Sequence, residues 1–488
     1  MKKKAPAAAG WPEQAIMFDN EENEGYEEYQ KELSSALGRF ENMIRAREHY
    51  YFDAGTLLNM IEHHQANNML DKAEEVLQFG LKLHPHDFDL QLKQADLVSL
   101  AGKDAEALSL LNELEKKHPG EKEIYILKGN IYLDIEQYQQ AIDNFEIAVD
   151  YADMPEDIYV NLAFAYRQLN NLPKAEDCIL KALEFGTDGI MASEEFVDFY
   201  FITHQVERGI MKAEELIDSD PYDLMAWYAL GNLYLRVENH EKAIEALEYC
   251  LAIDDDFLNA IVQLASAYVG AGRYEEAIEL YKRTLRFSML ESYTLYCIGD
   301  CYFRLGQMSE SRFYFRKSVK INPNYSDAFY GIAITYTEQN RWQEANHYIR
   351  KAIDLNRNIS DYFLVAGNCE LNTHCPESAY ENYLQAINLD RKNLKAWYAI
   401  LNCQIERGDY EDALGNCIDA LAANSSDSEL HFRLACYLFL NKRNKEAYAI
   451  FEKALHLDRN GYQIVFSICP QLHNDKHLNE LIANYGTE

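Results

Sequence analysis

Two histidines near the carboxyl end of the sequence have a spacing that could support metal chemistry. His473 and His477 are four residues apart, so on a single helix their imidazoles would lie on one face and could bind one metal ion. Asp475 lies between them, but the neighbouring sequence offers no evident third ligand. A metal-dependent enzyme is therefore one hypothesis, and two ordinary surface histidines are the alternative.

The ten cysteines do not form a recognisable site. Cys297 and Cys301 are also four residues apart, but Cys301 shares one phase of a 34-residue interval with Cys369 and Cys403. We therefore predict reduced, buried packing residues rather than redox or metal ligands. The sequence has no glycine-rich phosphate loop, no His-Glu-x-x-His and no Gly-x-Ser-x-Gly. The leading expectation is a non-enzyme with no catalytic residues, no cofactor and no metal.

The charge balance narrows the class of partner. Lys and Arg total 46 against 80 Asp and Glu, a formal net charge of −34. This charge repels phosphate backbones and anionic lipids, so we expect neither nucleic acid nor a membrane as a partner, whereas a basic protein is compatible. The sequence has no apolar run of about 18 residues. Its apolar patch at residues 5–9 is shorter than the roughly 7–15 residues of a signal peptide. These features predict a cytoplasmic protein.

The sequence repeats with a period of 34 residues, and the helices of these repeats must position any site. Moving along the chain from Ala243 in steps of 34 meets a small residue every time, twelve in all, without an insertion. A small residue kept at one phase indicates that two helices approach closely there. The twelve are Ala73, Ala107, Ala141, Ala175, Gly209, Ala243, Ala277, Ser311, Ala345, Ala379, Ala413 and Ala447.

Each repeat has the pattern of two helices joined by a turn. In the repeat that begins at Leu224, residues 227–234 carry apolar side chains at i, i+3, i+4 and i+7, and residues 243–250 carry a second helical stripe. The turn position between the stripes is Gly or Asn in seven repeats, and both tolerate the left-handed conformation that ends a helix. The turn residues are Asn68, Gly102, Glu136, Asn170, His204, Glu238, Gly272, Gly306, Asn340, His374, Gly408 and Lys442.

This pattern resembles the tetratricopeptide repeat (TPR) family, a 34-residue helix–turn–helix unit with Trp or Tyr, Leu-Gly, Tyr, Ala and Pro at these offsets. The resemblance implies an all-α fold, a right-handed superhelical solenoid of antiparallel helix hairpins. It also implies that the first helices line a concave groove and the second helices form the convex back. The usual work of the family is to hold peptides, partner proteins or further copies of the same chain, without chemistry.

The repeat register divides the chain into segments. Residues 1–32 are predicted to be an acidic, disordered tail, and residues 33–53 an N-terminal capping helix with a stripe of Leu33, Leu37, Phe40 and Ile44. Residues 462–488 are predicted to form C-terminal capping helices. The twelve repeats between them are 54–87, 88–121, 122–155, 156–189, 190–223, 224–257, 258–291, 292–325, 326–359, 360–393, 394–427 and 428–461.

The repeat 190–223 departs most from the pattern. Ser193 replaces the aromatic residue, Val197 replaces Gly or Ala, and Gly209 replaces the central Ala. Glycine inside a helix costs roughly 1 kcal/mol relative to alanine. Two interpretations stay open for this repeat: ordinary sequence drift, or a flexible joint between two arms.

Binding residues are expected at positions 2, 5, 9 and 12 of each first helix, which point away from the stripe that packs inside the repeat. We call these positions the groove face. Exposed tyrosine offers rigid apolar area with a hydroxyl, and asparagine offers both a donor and an acceptor to a peptide group. The alternative is that the tyrosines fill contacts between helices. The candidate residues are Asn130, Tyr228, Asn232, Tyr296, Asp300, Tyr330, Asn368, Tyr398 and Asn402.

The carboxylate-clamp variant of the family, which has Lys at position 5, does not fit this sequence. No repeat here has Lys at that position, so capture of a C-terminal carboxylate is not expected. The groove face of the first repeats instead carries Glu62, Asp96, Glu194 and Asp198, which favours a basic partner.

Three functions follow, in order of preference. The first is a non-enzymatic interaction scaffold or adaptor that binds a polypeptide in the groove of the repeats from 224 to 427. The second is a structural protein that self-assembles into homo-oligomers through its capping ends. The third is an enzyme with a metal ion at His473 and His477.

Overall fold

A computed structural model describes residues 20–46, 50–185, 189–285 and 291–485 of the chain, with residues 20–30 described by their backbone alone. These residues form helices and turns and contain no strand. The helices pack in consecutive pairs along the chain. The predicted all-α fold of helix hairpins is therefore confirmed. The chain divides into two units, Met1–Gln263 and Leu264–Glu488.

Twenty-seven α-helices and one 3-10 helix (η1) lie within the described residues. In chain order they are α1 Asn20–Ala46, α2 Ala54–Ala66, α3 Leu70–Leu83, α4 Phe88–Leu100, α5 Asp104–Lys117, α6 Lys122–Asp134, α7 Tyr138–Tyr151, α8 Glu156–Gln168, α9 Leu172–Phe185, α10 Ile190–Ile202, α11 Val206–Ser219, α12 Leu224–Arg236, α13 His240–Ile253, α14 Leu258–Gly270, α15 Tyr274–Thr284, α16 Glu291–Arg304, α17 Met308–Ile321, α18 Ser326–Thr337, α19 Trp342–Leu355, α20 Ser360–Asn372, α21 Pro376–Leu389, α22 Leu394–Arg407, α23 Tyr410–Ala423, α24 Ser428–Leu440, α25 Asn444–Leu457, α26 Gln463–Ile468, η1 Pro470–Asn474 and α27 Lys476–Tyr485.

All twelve turn residues have a positive φ, between 56° and 78°, whatever their side chain. Glu238 adopts this conformation, and the N–H of the next residue, Asn239, donates to the carbonyl of Tyr234 at 2.9 Å. Such a bond, which reaches back five residues, satisfies a carbonyl that the end of the helix leaves open. The left-handed turn is thus kept even where Glu, His or Lys replaces Gly.

The twelve small residues of the 34-residue period are all buried. In four of the twelve hairpins a glycine of the first helix adds a second close approach, as Gly367 does: a Cβ there would lie 2.4 Å from the Tyr383 ring of the second helix. The hairpin α10–α11 reverses the roles. Val197 stands at the glycine position of the first helix, and Gly209 of the second helix lies beneath Tyr200, whose Cγ would be 2.7 Å from an added Cβ.

In the first unit, α1 covers the hairpin α2–α3. Leu33, Ala36 and Phe40 are buried in one cluster with side chains of α2 and α3. Ile44 is 46% exposed, so the predicted stripe was wrong at its end, because the buried face follows a spacing of three and then four residues. The helix begins at Asn20 and not at residue 33, in keeping with the strong helix propensity of the Glu, Gln and Lys residues in this segment. Residues 1–19 of the predicted tail lie outside the described residues.

The hairpin α10–α11 is continuous with its neighbours in the first unit. Helix α10 packs against α8, α9, α11 and α12. Its Ser193, Phe196 and Tyr200 are fully buried. The residues that depart from the repeat pattern, Ser193, Val197 and Gly209, are therefore all buried within the first unit.

In the second unit, a single cluster of buried side chains runs from α20 to α27. Helix α26 packs against α24, and α27 packs against α25. Pro470 begins η1 between them. Val465, Cys469 and Leu478 are fully buried, so the last hairpin is covered by this final helical segment.

Candidate functional site

In the second unit, two tyrosines at position 5 of their repeats contact aromatic rings of the same unit. Tyr296 lies 5.5 Å from the ring of Phe315 and 5.4 Å from the ring of Tyr325. Tyr330 stacks on Tyr362 with ring centroids 5.2 Å apart. Both tyrosines are half-buried. They therefore fill contacts between repeats and also present part of each ring on the groove face.

Three aspartates lie around these tyrosines. The hydroxyl of Tyr362 donates to Asp327 at 2.5 Å. Burial, together with the negative charges of Asp361, Asp300 and Asp327, raises the pKa of Tyr330 to about 12. The Tyr330 hydroxyl consequently stays protonated at neutral pH and can donate a hydrogen bond.

Tyr398 and Asn402 belong to a polar network around a buried arginine. The Tyr398 hydroxyl donates to Asp427 at 2.9 Å. Arg433, which is 5% exposed, lies with its guanidinium 5.0 Å from the Tyr398 ring centroid and donates to the Asn402 side-chain oxygen at 2.7 Å. Arg433 also donates to Glu429 at 2.8 Å. Sequence reasoning missed Arg433, and the spacing of Glu429 four residues before it was the one available indication.

The other predicted polar residues of the second unit already form hydrogen bonds or ion pairs with side chains of the same unit. The side-chain oxygen of Asn368 accepts from the hydroxyl of Tyr383, a fully buried residue, at 2.8 Å. Asp300 lies 3.6 Å from Arg304, and burial raises the pKa of its carboxyl. The expectation that each asparagine presents an unused donor and acceptor therefore needs correction, because the oxygens of Asn368 and Asn402 already accept a hydrogen bond.

The candidates in the first unit are arranged differently. Tyr228 is 2% exposed, with its ring 5.2 Å from that of Phe257. The prediction of an exposed tyrosine was wrong here, because the Phe257 ring packs against it. Asn232 is half-buried, and its amide donates to the carbonyl of Tyr228 at 2.8 Å. Asn130 is half-buried on α6.

The acidic groove-face residues of the first unit differ in their partners. Asp96 forms an ion pair with Lys93 at 3.2 Å. Asp198 forms one with Arg236 at 2.7 Å. Glu62 and Glu194 are exposed. Although the Glu194 side chain is exposed, its carboxyl is partly desolvated by the surrounding helices, and this desolvation and the nearby charge of Asp198 raise its pKa.

The two histidines considered for metal binding do not share a helix. His473 lies in η1 and His477 in α27, because Asp475 caps α27 by accepting from the backbone N–H of His477 and Leu478 at 3.0 Å each. His473 stacks on Phe466 with ring centroids 4.3 Å apart. The predicted common face was therefore wrong. Across the described parts of the chain, no group of three or more His, Cys, Asp or Glu side chains is placed to hold a metal ion.

The cysteines lie where small packing residues were predicted. Cys301, Cys369 and Cys403 are at most 4% exposed, and Cys297 is 9% exposed. Cys375, in the turn between α20 and α21, is the one exposed thiol of the ten. Among the helices that the structure describes, none combines the length and the apolar character needed to cross a bilayer.

A described chain built throughout from paired helices, with a buried small residue and a left-handed turn every 34 residues, is a helical-repeat protein. More specifically, the chain contains tetratricopeptide repeats: three tetratricopeptide repeat family models match it, one at residues 234–287, one at 292–325, and one at both 126–190 and 398–462. Proteins of this family bind peptide or protein partners and are usually not enzymes, which supports a role as a protein-interaction scaffold in general.

Solved structures of similar fold include three named proteins. YrrB, described as a TPR protein with an unusual peptide-binding site, is 21% identical, with a TM-score of 0.30 over 38% of this chain and 96% of that one. MamA is 18% identical, with a TM-score of 0.30 over 34% and 97%. Yeast Tom70 is 13% identical, with a TM-score of 0.43 over 88% and 98%. A search of curated proteins found no match.

Proposed function

We propose that the second unit is a non-enzymatic scaffold that binds an extended polypeptide along the groove face of α16, α18, α20 and α22. The observation that carries this proposal is the row of half-buried tyrosines, Tyr296, Tyr330 and Tyr398, each fixed by a neighbouring ring or carboxylate. Side chains that are already ordered lose little conformational entropy when a ligand arrives, so their contact area contributes more to affinity.

Asn402 would supply polar recognition beside Tyr398. It is exposed, and its oxygen is oriented by Arg433. With the oxygen fixed in this way, the amide nitrogen is left to donate to a carbonyl of the ligand backbone. The protonated Tyr330 hydroxyl would supply a second donor two repeats away.

The charge of this surface favours a basic partner. Asp300, Asp327 and Asp361 surround the tyrosines, and Arg304 is paired with the first of them. Lysine or arginine side chains of a ligand would find carboxylates next to aromatic faces, an arrangement that attracts cations in two ways.

The test uses short peptides selected from a random library against the full chain. The double variant Tyr330→Phe with Asn402→Ala removes the two outward donors but keeps the stacking on Tyr362 and the Arg433–Glu429 pair. We expect it to bind the selected peptides about tenfold or more weakly, because each hydrogen bond contributes about 0.5–1.5 kcal/mol. Fluorescence anisotropy measures the affinity, and the melting temperature checks the fold.

The matched control is Phe313→Ala on α17, since Phe313 is 53% exposed and lies on a second helix. We expect this variant to bind the selected peptides as the unaltered chain does. Selected peptides that bind the double variant as tightly as the unaltered chain would refute the proposal. Sedimentation at several protein concentrations separates ligand binding from self-assembly, which would give a concentration-dependent mass.

A further inference from the structure

Three arginines of the second unit gather around one tyrosine. Arg312 and Arg341 each place the guanidinium carbon 4.8 Å from the centroid of the Tyr336 ring. Arg316 donates to the Tyr336 hydroxyl at 2.8 Å. Arg312 and Arg316 lie one turn apart on α17, and Arg341 directly precedes α19. We call Arg312, Arg316 and Arg341 the arginine cluster.

Two of these three positive charges have no partner of opposite sign. Arg341 is paired with Glu344, whose carboxylate accepts from the arginine Nε at 2.9 Å. Arg312 and Arg316 form no ion pair within the described part of the chain, and Arg312 donates instead to the carbonyl of Thr335 at 3.2 Å. Burial, together with the positive charges of Arg316 and Arg341, lowers the pKa of Arg312. The cluster therefore holds two guanidinium charges close together without a carboxylate to balance them.

Other repeats have a carboxylate where this cluster has arginines. In three repeats of the first unit, the tyrosine that corresponds to Tyr336 donates its hydroxyl to a glutamate 20 or 24 residues earlier in the chain. The pairs are Tyr166 with Glu146 at 2.6 Å, Tyr200 with Glu176 at 2.5 Å and Tyr234 with Glu214 at 3.4 Å. At 20 and 24 residues before Tyr336 the chain has Arg316 and Arg312. The anion that accompanies this tyrosine elsewhere is thus missing here, and cations stand at both positions.

The two unpaired guanidiniums match the charge of a phosphate monoester. Each guanidinium carries five N–H donors in a planar fork, and the bonds of Arg312 to Thr335 and of Arg316 to Tyr336 use one donor each. Side chains four residues apart on a helix have Cβ atoms about 5–6 Å apart, so both forks can reach one phosphate group. A phosphate monoester carries a charge of about −1.5 to −2 at pH 7, which balances the two guanidiniums.

The charge of the whole chain limits which molecule can bring this phosphate. The net charge of −34 repels nucleic acids and anionic membranes, whose many negative charges act over a distance. One phosphate on an otherwise neutral peptide does not meet this repulsion to the same degree. Arg316 and Arg341 are exposed and Arg312 is half-buried, so a peptide that passes over the surface can reach all three.

We propose that the arginine cluster binds a phosphorylated serine or threonine of a partner protein. The phosphate lies between the guanidiniums of Arg312 and Arg316 and takes the part that a glutamate has in the three other repeats. Arg341 adds attraction from the other hairpin. The cluster belongs to the second helices α17 and α19, so it does not depend on the tyrosine row, which lies on first helices.

The test selects peptides with a fixed central phosphoserine from a random library against the full chain and measures their affinity by fluorescence anisotropy. Counterparts with serine or glutamate at the centre should bind at least tenfold more weakly, because they carry no charge or about half the charge there. Arg312→Gln with Arg316→Gln should weaken binding of the phosphopeptide at least tenfold and leave the serine counterpart unchanged. Arg312→Lys with Arg316→Lys keeps the charge but not the fork, so it should restore only part of the affinity.

The matched control is Arg357→Gln with Arg391→Gln, which removes two positive charges from exposed positions beyond the carboxyl ends of α19 and α21. The groove variant Tyr330→Phe with Asn402→Ala separates this site from the tyrosine row. Both should bind the phosphopeptide as the unaltered chain does, and the melting temperature checks the fold of every variant.

Four results would overturn the proposal. The first is a library that yields no peptide with a tenfold preference for phosphoserine over serine. The second is a loss in the matched control or the groove variant that equals or exceeds the loss in Arg312→Gln with Arg316→Gln. The third is a glutamate counterpart that binds as tightly as the phosphopeptide, which would assign the cluster to carboxylates. The fourth is displacement of the peptide by inorganic phosphate at a concentration near the Kd of the peptide, which would assign it to the free ion.

Discussion

The hairpins α10–α11 and α20–α21 both place an aromatic ring against a glycine, but from opposite helices. In α20–α21 the glycine is Gly367 of the first helix and the ring is Tyr383 of the second. In α10–α11 the glycine is Gly209 of the second helix and the ring is Tyr200 of the first. Each of these two hairpins thus has one close approach and one large ring to fill it. A repeat that looks degenerate in sequence can therefore be complete in packing.

The same two regions differ in how they compensate a glutamate that is largely shielded from water and paired with an arginine. In the second unit, Arg350 pairs with Glu370, whose other oxygen accepts from Asn382 at 2.8 Å. In the first unit, Arg167 lies 3.3 Å from Glu195 on α10, and each of these side chains has a buried polar atom without a hydrogen-bond partner among the described residues. The pair at α10 is therefore the less well compensated of the two.

The largest expected effect comes from adding a methyl group at Gly209, the glycine of α11 that lies against the Tyr200 ring. Gly209→Ala should lower the free energy of unfolding by about 2–3 kcal/mol, because the new methyl group meets the Cβ and Cγ of Tyr200, which cannot move far from the backbone. Gly367→Ala should cost a similar amount. Urea unfolding of the full chain, followed by circular dichroism, measures both.

Gly415→Ala on α23 is the matched control for these two variants. A Cβ there has no heavy atom within 4 Å among its described surroundings, so we expect stabilisation by about 0.5–1 kcal/mol from the better helix propensity of alanine. If Gly209→Ala were as harmless as this control, the reversed packing of α10–α11 would be wrong.

The pH dependence of stability should separate the two charged pairs. Burial raises the pKa of Glu195 to about 7 against the opposing attraction of Arg167. The folded chain then holds a proton that the unfolded chain releases above its ordinary pKa near 4.5. The stability from this carboxyl is present at lower pH and is lost as pH rises through 7.

Glu195→Gln, which mimics the protonated carboxyl, should flatten this loss and stabilise the chain above pH 7 by on the order of 1–3 kcal/mol. Urea midpoints at several pH values between 4.5 and 8.5 provide the measurement, with Glu62→Gln, which removes an exposed carboxyl on α2, as the control. An unaltered pH profile in Glu195→Gln would show that this carboxyl is already ionised when folded.

The smallest effect is expected at the turns within the hairpins, where the first and the second unit are alike. Glu238→Gly and Lys442→Gly should each stabilise the chain by about 0.5–1 kcal/mol, because glycine adopts positive φ without the cost that other residues incur, less its greater freedom when unfolded. The reverse change, Gly272→Glu, should destabilise by a similar amount. Equal stability of all three variants would contradict a uniform left-handed turn.

The sequence was sufficient to predict the helix hairpins, since the small residue and the turn residue recur at fixed phases. It could not show that Tyr228 is covered by Phe257, because both positions suit an exposed or a buried aromatic residue. The buried Arg433 was also beyond its reach, as an arginine at a first-helix position is usually solvated. The break between His473 and His477 depends on a cap at Asp475, which spacing alone did not indicate.

Because nine of the ten cysteines are buried and Cys375 is exposed, the natural chain already carries a single thiol accessible to reagents, in the turn between α20 and α21. A maleimide dye could be attached there without removing any other thiol. Such a label would report on the second unit in single-molecule or energy-transfer experiments, and the first unit would stay unlabelled as an internal reference.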